Sequence, residues 1–108
     1  MFVTYPGITA LDLVGPHEVF TAAAEVARRT GREADAYCVE IAAPDAGVVH
    51  TTRGPLLVAD RALSSVRGAV DTVVMVGGEG ARVAATDADF VAGVRRICLL
   101  YTSPSPRD

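Results

Sequence analysis

The 108-residue sequence contains no lysine, asparagine, glutamine or tryptophan. All ten of its basic residues are arginines, set against 13 acidic ones for a net charge of −3. No basic stripe forms, so direct nucleic-acid binding by this stretch is not expected. Cysteine is scarce as well. Cys38 and Cys98 make neither a disulfide framework nor a zinc cluster. His17 and His50 have no partner at metal-ligand spacing. Nothing in these residues calls for a metal or a cofactor. No apolar run approaches the roughly 20 residues of a membrane span. The N-terminus lacks a basic region and an A-x-A cleavage site, so no signal peptide is read and a cytoplasmic location is expected.

What is abundant is small and apolar. Half of the residues are hydrophobic, enough for a core and against disorder. Alanine, valine and glycine dominate, and with arginine as the only strong base this composition reads as the product of a GC-rich, bacterial genome. The last eleven residues break the pattern. Residues 98–108, CLLYTSPSPRD, contain no alanine, valine or glycine. A Pro/Ser-rich tail is ordinarily a linker. This one also equals, residue for residue, the translation of a transposase adapter used in short-read sequencing libraries. The expectation is a natural chain of residues 1–97 followed by a non-native tail over 98–108.

The natural part reads as alternating strands and helices. Residues 2–5 (FVTY) form a short apolar segment that ends at Pro6-Gly7. A helix is expected to open at Pro16, where a missing N–H costs nothing. Val19, Phe20, Ala23, Val26 and Ala27 recur at helical spacing, Arg28 and Arg29 fill the last turn and Gly31 ends it. Residues 36–42 have strand composition, with Cys38 as a small buried hydrophobe. Residues 48–51 and 56–59 flank the Arg53-Gly54-Pro55 turn as a hairpin or an extended excursion. Residues 62–66 suit one helical turn. Residues 72–76 (TVVMV) read as a strand buried on both faces, broken by Gly77-Gly78-Glu79-Gly80. Thr86 resembles an N-cap for a second long helix with Phe90, Val91 and Val94 on its apolar face, closed by Arg95 and Arg96. This order predicts a parallel α/β sheet, with ligands beyond the carboxyl ends of the strands.

Two segments end strands in loops. In the first, Asp12 and Glu18 flank the expected helix start. Carboxylates there are stabilised by the helix dipole, and they equally suit a pocket wall. In the second, Gly77 and Gly78 end a strand in a loop that is neither G-x-G-x-x-G nor a Walker loop, since no Lys-Ser/Thr follows. Such a pair serves as a tight turn or as a backbone anion site. Cys98 lacks the small flanking residues of a nucleophile elbow and belongs to the tail.

The segment YPGITALDLVGPHEVF over residues 5–20 resembles the opening of the ThiJ/PfpI superfamily, the class I glutamine-amidotransferase-like fold. The resemblance continues through VVHTTRGPLLVADRAL, residues 48–63, and DTVVMVGGEGAR, residues 71–82. It covers nearly all of residues 2–97. It implies a flavodoxin-like three-layer sandwich with a parallel sheet, here truncated. It also implies a site joining an acid after the first strand, a Gly-Gly loop and a cysteine on a strand-to-helix elbow. Asp12 matches the acid of the isonitrile-hydratase-like pattern, Glu18 the glutamate of GPxEVF, and Gly77 and Gly78 the glycine loop. Val76 stands where a proline is common. The cysteine would follow Arg96 and is missing, so no catalytic residue is assigned. Two readings stay open. In one the intact gene encodes a GlxA-type AraC-family transcriptional regulator. This piece would then belong to its ligand-sensing, dimerising domain, with DNA contacted only by a missing C-terminal domain. In the other it encodes a stand-alone cysteine-dependent enzyme of the hydratase or amidase type. A complete small α/β domain without a family role is the blander third.

Overall fold

The computed structural model describes residues 1–32, 38–68 and 70–101. Its centre is a parallel sheet of four short strands, β1 (Phe2–Val3), β2 (Ile41–Ala43), β5 (Arg61–Ala62) and β6 (Val74–Met75), in the order β5-β2-β1-β6. The register pairs Phe2 with Ile41 and Val74, and Val3 with Ala42 and Met75. A separate antiparallel hairpin, β3 (Gly47–His50) and β4 (Leu56–Ala59), fills the connection from β2 to β5 and settles the open choice over residues 48–59. Helix α1 (Ala10–Arg29) links β1 to β2. A 3-10 turn (Leu63–Ser65) follows β5, and α2 (Ala81–Thr86) and α3 (Ala88–Tyr101) follow β6.

The helices lie on opposite faces of the sheet, and the alternation of β1 shows it. Phe2 packs on α1, its ring 5.7 Å from His17 and 5.9 Å from Phe20. Tyr5, of opposite parity along the extended chain, meets Phe90 of α3 at 5.7 Å. All four residues from Phe2 to Tyr5 are buried. β1 is thus the strand covered on both faces, the place where a continuous apolar run belongs. The one polar member, Thr4, donates its hydroxyl to the Ala42 carbonyl. The expected three layers around a parallel sheet are present, and no helix among the described residues is long and apolar enough to cross a membrane.

Several local expectations are corrected. α1 begins six residues before Pro16, at Ala10, with Thr9 in extended conformation before it. Ala10, Leu11 and Leu13 are strong helix formers, and Asp12 in the first turn complements the dipole. Pro16 deprives only the Asp12 carbonyl of its helical donor. Gly15 before it has no Cβ to clash with the proline ring. Glu18 therefore sits in mid-helix, exposed, rather than in the first turn. The second strand is confined to Ile41–Ala43, matching the brevity of β1, and Cys38 is exposed rather than buried. Residues 36 and 37 of the expected strand lie outside the described residues, as do 102–108 of the tail. β6 is not covered on both faces. It is an edge, and Met75 is 48% exposed.

Asp87, not Thr86, caps α3. Its Oδ1 accepts from the backbone N–H of Asp89 at 3.0 Å and of Phe90 at 3.2 Å. Thr86 instead ends α2, with its hydroxyl turned back to the Val83 carbonyl. α3 does not close at Arg96. It continues to Tyr101, because Ile97 and Cys98 keep helical spacing with Phe90, Val91 and Val94, and Ile97 is fully buried. Arg96 reaches across instead, donating to the Val66 carbonyl at 2.8 Å and the Leu63 carbonyl at 2.7 Å, and ties α3 to the turn after β5.

Candidate functional site

From β1 the chain leads to β2 on one side of the sheet and later returns to β6 on the other. The loops leaving β1 and β6 therefore meet at the carboxyl end of the sheet, where the direction of winding switches. Open α/β sheets bind ligands at such a crevice.

The meeting is close and made by glycines. The N–H of Thr9 donates to the Gly77 carbonyl at 2.9 Å, and that of Gly80 to the Gly7 carbonyl at 3.0 Å. A Cβ on Gly78 would fall 2.5 Å from both the Gly7 carbonyl oxygen and the Ile8 Cα. Gly7 has φ +92° and its Cβ would lie 2.8 Å from the Gly80 Cα. Only glycine permits either. From the other side the hairpin pins the same loop. Gly7 donates to the His50 carbonyl, Thr52 N–H to the Ile8 carbonyl, and the Thr52 hydroxyl to the Gly7 carbonyl. Residues 6–9 are thus clamped between two neighbours, and α1 starts from a fixed base.

This base aims Asp12 at the glycine loop. Its Oδ2 lies 3.1 Å from the point where a Gly77 side chain would begin. The carboxylate is exposed and makes no hydrogen bond or ion pair among the described residues. It is open to an incoming donor. Three of the four residues expected at the site, Asp12, Gly77 and Gly78, thus come together. Glu18 does not join them. Six residues at about 100° each turn it roughly 120° around α1 from Asp12 and about 9 Å along the axis.

Tyr5 is the member that the sequence reading missed. Its hydroxyl donates to the Val76 carbonyl at 2.5 Å, just before the glycine loop. Burial first, and then the neighbouring Asp12 carboxylate, raise its phenol above the ordinary value of 10.0. The available signal was chemical. A tyrosine in a buried run needs a partner for its hydroxyl. That partner is 71 residues away, so no spacing rule points to it.

Beside this crevice runs an apolar groove of about 620 Å³ along the open side of β6, lined by Tyr5, Val76, Gly77, Phe90, Val94 and Cys98 among others. Cys98 stands within α3 and not on a strand-to-helix elbow. His17 packs on Phe2 at the α1 side, and His50 lies exposed on the hairpin. Among the described residues no group of three or more His, Cys, Asp or Glu is placed to hold a metal.

No family model matches the sequence, and no curated protein matches it. The fold does match. A THiJ/PfpI family protein from Pseudomonas syringae superposes with a TM-score of 0.73 over 93% of this chain at 23% identity. The chain spans 37% of the length of that protein. The parallel sheet with flanking helices of this chain thus matches part of the fold of that ThiJ/PfpI family protein.

Proposed function

We propose that residues 1–97 are the N-terminal part of a ThiJ/PfpI-like domain that senses a small molecule and dimerises within an AraC-family transcriptional regulator of the cytoplasm. The observation that carries the ligand-binding part is the Asp12 carboxylate, without a partner among the described residues, beside Gly77 at the switch point of the sheet. A carboxylate and a glycine loop at such a crevice form a polar end for a ligand, and the apolar groove along β6 adjoins it. The regulator assignment is supported by the Val-Val-His-Thr-Thr-Arg-Gly run over residues 48–54 and by the Ala- and Arg-rich helix around Ala92, Arg95 and Arg96. DNA contact belongs in this reading to a C-terminal domain outside this sequence.

Asp12 also favours a second reading. A free carboxylate next to a backbone loop is what a cysteine-dependent hydratase or amidase needs for proton transfer. The test is the gene itself. Sequencing its genomic locus past the Arg96 codon is expected to show a longer sandwich followed by two helix-turn-helix units in place of CLLYTSPSPRD. The complete product is then expected to shift a DNA fragment from its own promoter region. A stop codon soon after the sandwich, with a cysteine elbow before it, would establish the enzyme reading. An uninterrupted genomic frame that contains CLLYTSPSPRD would overturn the non-native tail.

A further inference from the structure

We propose that Tyr5 is the positioning residue of the Asp12–Gly77–Gly78 site: its hydroxyl holds the Val76 carbonyl and so fixes the direction in which the Gly77 N–H is presented. The inference rests on reading those three residues as a ligand site, and it adds what aims them.

The geometry follows from one peptide plane. The Val76 carbonyl and the Gly77 N–H belong to the same trans peptide and point in opposite directions. Anchoring the oxygen on one side therefore sends the N–H to the other. Tyr5 supplies the anchor at 2.5 Å in a buried setting. Gly77 has no side chain of its own to hold its peptides, and glycine is the freest residue in backbone rotation. The peptide after it is fixed separately, by the Thr9 N–H on the Gly77 carbonyl at 2.9 Å. Both peptides flanking Gly77 are thus tied to the β1 side, one by a side chain and one by the backbone. Asp12, 3.1 Å from the Cβ position of Gly77, sits in the frame these two ties define.

Tyr5 is itself immobilised. Its ring is 3% exposed and meets Phe90 edge-on with centroids 5.7 Å apart. A phenylalanine would keep that packing and lose only the tie. The same phenol feels the Asp12 charge, so ligand-site carboxylate and clamp are electrically linked.

The experiment uses the full 108-residue chain and needs no ligand, so its failure is distinct from failure of the ligand-site reading. Hydrogen exchange followed by mass spectrometry compares wild type with Tyr5→Phe. The expected result is exchange about two- to twelvefold faster over residues 74–80, the range for losing one neutral hydrogen bond, with the β1–β2 pair unchanged. Ultraviolet titration in a Tyr37→Phe/Tyr101→Phe background isolates Tyr5 as the sole phenol. It is expected to ionise above the ordinary tyrosine value, and Asp12→Asn is expected to lower its midpoint. That dependence reports the nearness of the Tyr5 phenol to the Asp12 carboxylate. Unchanged exchange over 74–80 in a folded Tyr5→Phe chain would overturn the clamp. Should Tyr5→Phe not fold, nuclear magnetic resonance of the wild-type chain decides: a hydroxyl held on the Val76 carbonyl gives a slowly exchanging Tyr5 proton signal, and a Tyr5 hydroxyl lost to fast exchange overturns the proposal.

Discussion

Gly78 faces backbone on every side that a side chain would take. A Cβ there would sit 2.5 Å from the Gly7 oxygen and 2.6 Å from the Thr9 nitrogen, and backbone cannot swing aside as a flexible side chain does. Gly78→Ala is expected to cost about 3 kcal/mol, read as a lower denaturant midpoint, because the loops that meet at the switch point must part. Gly93, in the middle of α3, is the control. Its Cβ would meet only the Leu63 side chain at an ordinary 3.4 Å, and Gly93→Ala is expected to stabilise by about 0.5 kcal/mol through helix propensity. Tyr5 sets a different dependence, on pH. Its phenol pKa is raised in the folded state, so the folded chain holds that proton more tightly than the unfolded one. Stability from this source is full below 10.0, the ordinary value, and is lost as pH climbs from there through the raised one. Urea melts above pH 10 should show wild type losing stability faster than Tyr5→Phe; parallel losses would remove Tyr5 as the cause. At this scale the sequence exposed Asp12, Gly77 and Gly78 as candidates, since acid and glycine types suit the chemistry. Their juxtaposition was not legible, because it depends on which strands neighbour one another. Glu18 looked equal to Asp12 only while the helix was taken to start at Pro16.

At the scale of elements, the joint between α3 and the turn after β5 hangs on one side chain. Arg96 forks onto the Leu63 and Val66 carbonyls, and that pair of charge-assisted bonds spans 33 and 30 residues of chain. It is half-buried, so water offsets part of its worth. Arg96→Ala is expected to lower stability by about 1–2 kcal/mol in chemical denaturation. Arg96→Lys should recover less than half of that, because an ammonium cannot reproduce the planar fork. A lysine variant equal to wild type would mean that charge alone, and not the bidentate geometry, holds the joint. The Ser64–Arg67 side of the same turn is secured independently by Arg67 on the Ser64 carbonyl, so the turn itself should persist. Element identity was broadly legible: helical spacing from Val19 to Ala27, the two short strand-like pieces about Arg53-Gly54-Pro55 and the glycine break after β6 all mark real elements, although the sequence left those two pieces open between a hairpin and an extended excursion. Boundaries were not. Proline propensity pointed to a start at Pro16, whereas favourable residues upstream and a neighbouring glycine carry α1 back to Ala10. Likewise, Thr86 and Asp87 are both good caps by type, and only the turn geometry selects Asp87.

For the whole molecule the question is what its apolar surface does in water. The outward face of the hairpin carries Val48, Leu56 and Val58, exposed by 58%, 58% and 64%, and Val48 stands directly opposite Val58. Along the other margin, β6 is an edge strand with Met75 exposed, and Val91 lines the groove beside it. Open edges and contiguous apolar patches favour association over isolated monomers. A net charge of −3 gives only weak mutual repulsion against it. The chain is therefore expected to self-associate with rising concentration, seen in sedimentation velocity as a growing fast fraction. The two surfaces separate by substitution. Val58→Lys charges the hairpin face without entering the core, since Val58 points outward; Val91→Lys charges the rim of the groove. Each alone should slow association and the pair should leave a monomer with unchanged far-ultraviolet circular dichroism. If the wild-type chain stays monomeric across the micromolar range with a sharp cooperative melt, these surfaces are too dispersed to drive assembly, and the fold of residues 1–97 is self-sufficient. If only Val91→Lys matters, the open side of β6 is the adhesive one. A parallel sheet invites another strand at an open edge far more strongly than a hairpin face invites a neighbour, because the edge offers unpaired N–H and C=O groups as well as apolar area.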